Sequence, residues 1–150
     1  MKKAIWLVLL MVCAGCITVK VPKYLKDEFP YQKKFYASFD DTLAATQKAL
    51  RDTGWRISEI ASPSTFEQGQ PSSDTQGRQI LIFTEIRQTP LILASRYMSL
   101  NVYLRTADNS TDVEIRYISV VPVLLKNSTS YKNDVVVNRV FDRISELLTK

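Results

Sequence analysis

The sequence predicts an α+β domain in which an antiparallel sheet of about four to five strands carries two helices packed on one face. Apolar and polar residues alternate over residues 96–106 and again over 111–121, which indicates two paired strands. An apolar stripe with helical spacing near the C-terminus indicates an amphipathic helix that requires a sheet to pack on. The predicted strands follow one another through loops, which favours antiparallel pairing and the order β-α-β-β-β-β-α.

A single domain over residues 35–150 is expected to begin with a short strand at 34–39 and a helix. Ser38 and the aspartates at 40 and 41 are typical of a helix start, since a side-chain oxygen can cap the first amides. The helix is expected to run to about Thr53, with Gly54 just beyond its end. The residues spaced along its expected buried side are Leu43, Ala44, Gln47 and Leu50.

The middle of the chain is predicted to alternate strands and loops. A strand over residues 55–60 precedes a loop over 61–78 that is rich in Gly, Pro and Ser. A third strand over 79–87 is apolar on both faces at its centre, which predicts a central position in the sheet. A second loop over 89–95 contains Leu91-Ile92-Leu93, which is interpreted either as core packing or as an exposed contact.

The clearest predicted elements are the hairpin and the last helix. The hairpin turns at residues 107–110, and Met98, Leu100, Val102 and Leu104 share one face of its first strand. Asn133 or Asp134 is expected to cap the last helix. Its apolar stripe comprises Val136, Val137, Val140, Phe141, Ile144, Leu147 and Leu148.

The N-terminus has the organisation of an export signal. Lys2 and Lys3 precede an apolar run that begins at Ala4, and small residues follow before Cys16. The run extends no further than Val19, which is shorter than the about 20 residues that a spanning helix needs. An ordinary cleaved signal and an uncleaved N-terminal anchor are the two alternatives to a lipid-modified terminus.

The segment Ala14-Gly15-Cys16 resembles the end of the lipobox of bacterial lipoproteins, although this chain has Cys13 where Leu is usual. The resemblance implies that residues 1–15 are a cleaved signal peptide and that Cys16 carries diacylglycerol and a further acyl chain such as palmitate. A diacylglycerol together with a further acyl chain anchors a protein stably to a membrane. Ile17 in place of Asp implies the outer membrane, facing the periplasm, if the source is Gram-negative. A redox or metal role for the Cys-x-x-Cys spacing is the alternative.

Residues 16–34 are predicted to be the lipidated N-terminus followed by a flexible tether. Pro22 and Pro30 interrupt any helical or alternating pattern, and lysines are frequent along the segment. These lysines either rest against anionic headgroups or are simply solvated.

The composition argues against catalysis, metal binding and nucleic-acid binding. The chain has no histidine, which removes the commonest general base and the commonest neutral metal ligand. Its two cysteines lie within the first 16 residues, and no Ser-x-x-Lys or Gly-x-Ser-x-Gly motif occurs. A net charge of +5 is too weak to indicate a nucleic-acid partner. We therefore expect a non-enzymatic domain with no cofactor and no metal.

The polar faces of the hairpin strands are the main candidate for binding an envelope protein partner. Tyr97, Tyr103, Arg105 and Arg116 lie there, and Tyr and Arg are enriched at binding hot spots. The alternative is an ordinary solvated sheet face. The glutamates at 85 and 114 are interpreted as salt-bridge partners of nearby arginines or, less favourably, as a carboxylate pair of a hydrolase.

The element order resembles helix-grip or TBP-like domains of periplasmic lipoproteins, such as the lipoprotein C subunit of the β-barrel assembly machinery. The phrases that carry this resemblance run from Phe39 through Leu50 to Trp55 and from Asn133 to Leu148. The resemblance implies a membrane-anchored interaction or scaffolding module. The alternative function is a carrier of a small apolar ligand between helix and sheet. That function requires a cavity whose lining includes Phe83, Leu100 and Phe141.

Overall fold

The computed structural model of the protein describes residues 19–26, 29–66, 77–92, 94–123 and 126–149. Within these residues, one antiparallel sheet of seven strands carries two helices. The α+β class predicted from the sequence is confirmed, with more strands than expected. The elements are β1 (Tyr31–Phe35), α1 (Phe39–Asp52), β2 (Ile57–Ala61), β3 (Gln79–Thr84), β4 (Arg87–Pro90), β5 (Ser95–Ala107), β6 (Ser110–Val123), β7 (Lys126–Ser130) and α2 (Asp134–Leu148).

The long strands β5 and β6 form the centre of the sheet, whose order is β1-β6-β5-β3-β2. The shorter strands β4 and β7 pair with the remaining halves of β5 and β6. Tyr97 lies opposite Val120 in the β5–β6 ladder, and Ala107 lies opposite Ser110 at its other end. The two strands are joined by Asp108 and Asn109, and Asp108 adopts a φ of 45°, a left-handed conformation that Asp tolerates better than most residues. The hairpin predicted from alternation is confirmed.

The sequence prediction missed β4 and β7 and placed β1 too late. The expected third strand over 79–87 ends at Thr84, and β4 begins at the last residue of that expected strand and extends into the expected loop over 89–95. The sequence of β7, Lys-Asn-Ser-Thr-Ser, has no apolar alternation, because its side chains are mostly exposed and its backbone alone pairs with β6. The ladder of β1 begins with Tyr31 opposite Ile115, so the domain begins before the expected residue 35.

Helix α1 has the predicted ends but a different buried side. Ser38 Oγ accepts a hydrogen bond from the Asp41 amide at 3.1 Å, and Gly54 follows the helix with a φ of 84°. Leu50 is buried as expected, whereas Ala44 is exposed. The small side chains on the buried side allow α1 to approach the sheet and α2 closely. The buried residues are Phe39, Thr42, Ala45, Thr46, Ala49 and Leu50.

Helix α2 has the predicted cap and the predicted apolar stripe. Asn133 Oδ1 accepts a hydrogen bond from the Val136 amide at 3.1 Å, which satisfies one of the free amides at the helix start. Val137, Val140 and Ile144 are fully buried against the same sheet face as α1. This helix contains valines, which are poor helix formers, so its burial against the sheet is the main source of its stability.

Replacing Ile144 with Ala tests the role of this helix face. The side chain has no solvent exposure, so we expect the free energy of unfolding to fall by about 2–5 kcal/mol. Urea unfolding measures the change. Val135→Ala on the exposed side of the same helix is the control and should change stability by less than about 0.5 kcal/mol. Equal losses for the two variants would contradict the proposed packing.

Candidate functional site

Part of the sheet face opposite the helices is covered by the segment that precedes β1. We call residues 19–25 the strap. Leu25 is only 2 % exposed and packs with Ile118 and Val120 in a second apolar cluster. The ring of Tyr24 stacks on Phe66 with centroids 5.7 Å apart. Within the segment expected to be a flexible tether over residues 16–34, the strap therefore packs on the sheet, and residues 31–34 belong to β1.

The backbone of the strap is held by Asn101 and Arg116, which we call the clamp. The Leu25 amide donates to Asn101 Oδ1 at 2.7 Å, and Asn101 Nδ2 donates to the Lys23 carbonyl at 3.0 Å. Arg116 Nη1 donates to the Leu25 carbonyl at 2.8 Å. Both polar backbone groups of Leu25 thus have partners, as buried peptide groups require. The two clamp residues lie opposite each other in the β5–β6 ladder, which places both side chains on this face.

The position of Arg116 is fixed by charged and aromatic neighbours. Its Nε donates to Glu114 Oε1 at 2.6 Å, and both side chains are largely buried. Gln32 Nε2 of β1 donates to the other carboxylate oxygen of Glu114 at 3.0 Å. The guanidinium lies 5.8 Å from the ring centroid of Tyr24 and 5.4 Å from that of Tyr103, within cation–π range. Arg116 therefore connects the strap, β1 and the sheet.

The four residues predicted to bind a partner do not form one exposed surface. Tyr103 is 2 % exposed and Arg116 is 5 % exposed, because both lie beneath the strap. Tyr97 and Arg105 are half-buried on β5. Alternation assigned all four to one sheet face correctly, but it could not show that the chain itself covers part of that face. The interpretation of Tyr103 and Arg116 as partner contacts is therefore corrected.

A polar cleft of about 300 Å³ remains open beside the clamp, between β1, β6 and β5. Lys34 and Asp112 approach to 3.8 Å across it, and Arg105 packs on the Tyr103 ring at 5.8 Å. The Nε of Arg105 has no hydrogen-bond partner among the described residues. The cleft therefore offers charged groups of both signs to a polar ligand. Its lining comprises Gln32, Lys33, Lys34, Tyr103, Arg105, Asp112, Val113 and Glu114.

Other candidates from the sequence have different surroundings. Glu114 forms a salt bridge with Arg116, as one of its two interpretations expected. Phe83 lies on the strap side of the sheet, whereas Leu100 and Phe141 belong to the core beneath the helices. These three side chains therefore cannot line one cavity, which removes the arrangement expected for a carrier. Cys16 and Leu93 lie outside the described residues.

Comparisons supply no family for this chain. No model of a known protein family matches it, and no curated protein matches its sequence. In the described part of the chain, no group of His, Cys, Asp and Glu side chains is arranged to hold a metal ion. None of the helices within those residues has the length and apolar character needed to cross a membrane. The site is therefore interpreted from its geometry.

Replacing Asn101 with Ala tests the clamp. The variant loses two hydrogen bonds to the strap. At about 1 kcal/mol each, this should reduce the protection of the Leu25 amide against hydrogen exchange by roughly thirtyfold. NMR-detected exchange measures this amide beside those of the β5–β6 ladder, which should keep most of their protection.

The matched control is Gln88→Ala. It removes a side-chain amide that donates to Ser95 Oγ at 3.0 Å on the exposed β4–β5 hairpin. This change should leave the Leu25 amide as protected as in the wild type. A Leu25 amide that exchanges at the same rate in Asn101→Ala and in the wild type would show that the clamp does not hold the strap.

Proposed function

We propose that the protein is a membrane-anchored lipoprotein of the bacterial envelope, with a domain that serves as a non-enzymatic interaction or scaffolding module. In this proposal Cys16 carries the lipid, residues 1–15 are removed, and the domain faces the periplasm, at the outer membrane in a Gram-negative source. The observation that carries the lipid anchor is the segment Ala14-Gly15-Cys16 at the end of the apolar run. Docking of the strap supports a module held at the membrane, because Val19 packs on the folded domain only three residues after Cys16.

Docking of the strap shortens the distance over which an anchor at Cys16 can hold the domain from the membrane. A free tether of the length expected from the sequence could reach roughly 60 Å when fully extended. The residues between Cys16 and Val19 span at most about 11 Å. An anchored domain would therefore be held next to the membrane with a restricted orientation, which raises its effective concentration for a partner at the same surface.

The polar cleft is the part of the strap-side face that we propose for contact with an envelope protein. Lys34, Arg105 and Asp112 supply charges there that orient a partner and discriminate against wrong ones. The clamp residues are excluded from this role because they are already bonded to the strap. The likeness of the element order to helix-grip and TBP-like domains supports the same binding role, although fold alone does not fix function.

Cys16→Ser tests the anchor. Labelled palmitate supplied to cells should enter the wild-type protein and not the variant, because the thioether and the new N-terminus both require the Cys16 sulfur. Intact-mass analysis of the wild type should give a chain that begins at residue 16 and carries acyl chains. Cys13→Leu is the matched control: it removes the other cysteine, matches the usual lipobox, and should keep the label.

An intact initiator methionine on the mature wild-type protein, or an unmodified thiol at Cys16, would refute the anchor. Palmitate incorporation that persists in Cys16→Ser would have the same meaning.

A further inference from the structure

Within the described residues, three large apolar side chains are exposed at the ends of two hairpins, and we call them the apolar tip. Ile92 is 100 % exposed, and Leu91 and Val123 are also exposed. Leu91 and Ile92 directly follow β4, and Val123 is the last residue of β6. Hairpin connections normally carry Gly, Asn, Asp or Ser, which suit tight turns and water. Exposed apolar side chains at these positions therefore indicate a surface that binds another molecule.

The members of the apolar tip lie at the same end of the sheet. Pro90 pairs with Ser95 at the start of β5, and Val123 pairs with Lys126 at the end of β6. The β5–β6 register, in which Tyr97 lies opposite Val120, brings the start of β5 next to the end of β6. The start of the β5 strand and the end of the β6 strand, where the two hairpins turn, therefore lie next to each other.

The strap begins on the half of the sheet that leads to the apolar tip. Val21 lies beside Ile86 and Ser99, and Val19 packs in the cluster that contains Val120. Val120 precedes Val123 by three residues of β6, or about 10 Å along the strand. Because Cys16 is within about 11 Å of Val19 by chain length and Val19 packs in the cluster of Val120, an anchor there lies within roughly 30 Å of the apolar tip.

The charged residues in the strand segments nearest the apolar tip are basic. No Asp or Glu occurs over residues 86–98 or 119–129, which contain Arg87, Arg96 and Lys126. Lys126 is exposed and pairs with Val123 itself, and Lys20, the second residue of the strap, is also exposed. Basic residues at such positions are attracted to anionic headgroups by about 1 kcal/mol each.

We infer that the apolar tip enters the headgroup layer of the anionic phospholipid membrane that carries the anchor. This inference rests on the proposed lipid anchor. Among the described residues, the exposed apolar side chains of the tip lie in hairpins that also carry basic residues, which favours an anionic lipid surface as the occupant. Three apolar side chains are sufficient for a lipid surface, because the acyl chains supply the affinity and the tip has only to orient the domain. Insertion at this end leaves the polar cleft, near the β1 half of β6, directed away from the membrane.

A fluorescent probe on the apolar tip tests the inference. In the mature lipoprotein Cys13 is gone and the Cys16 sulfur is bonded to lipid, so Ile92→Cys supplies a single reactive thiol. The full lipidated variant, labelled with an environment-sensitive nitrobenzoxadiazole dye, is reconstituted into vesicles of phosphatidylcholine and phosphatidylglycerol. A nitroxide on the upper acyl chain quenches dyes that enter the membrane. Val123→Cys provides a second probe on the same tip, and Asn109→Cys places a control probe at the exposed turn of the opposite end.

We expect the dyes at 92 and 123 to shift to the blue and to lose roughly half of their emission to the nitroxide, because interfacial groups lie about 5–10 Å deep. The dye at 109 should keep its emission. If the protein floats with the vesicles while the dyes at 92 and 123 stay unquenched, the inference is overturned and the anchor stands. Failure of the protein to float would overturn the proposed function as well. A blue shift that depends on protein concentration without vesicles would assign the tip to a second copy of the chain and also overturn the inference.

Discussion

The strap-side face depends on one physical requirement, the satisfaction of the Leu25 peptide groups at a buried position. An amide or carbonyl that loses water without gaining a partner costs about 1–3 kcal/mol. Strand ladders cannot supply the partners, because the strap lies across the sheet face and not along its edge. Asn101 and Arg116 supply them from the sheet itself. Without these two side chains, burial of Leu25 against Ile118 and Val120 would leave its backbone unsatisfied.

The buried ion pair of Arg116 and Glu114 is better understood as a positioning device than as a source of stability. Desolvation of two charges offsets much of their attraction, so such pairs contribute little net stability while the loss of one partner is costly. Here the carboxylate fixes the guanidinium at the point where it meets the Leu25 carbonyl. The ion pair therefore specifies where the strap lies on the sheet.

The sequence predicts those strands and helices whose buried residues recur at a regular spacing. The β5–β6 hairpin and helix α2 were predicted because each buries one side against a single core. Strand β7 was missed because its side chains are mostly exposed and only its backbone pairs. The strap was missed because two bends and Pro22 remove any period, so that Val19, Val21, Tyr24 and Leu25 show no spacing that indicates a buried face.

The candidate site was predicted in part. Alternation placed Tyr103 and Arg116 on one face, but periodicity does not reveal which segment covers a face. A signal was present in Ile118 and Val120, which are apolar residues on the nominally polar face of β6. They indicate that something packs there, although not that the occupant is the chain's own N-terminal segment.

Docking of the strap is tested most directly by nuclear Overhauser measurements on the full-length protein in solution. We expect cross-peaks between the Leu25 methyl groups and those of Ile118 and Val120, because the three side chains form one buried cluster. Absence of these cross-peaks, together with random-coil chemical shifts over residues 19–25, would show that the strap does not pack on the sheet.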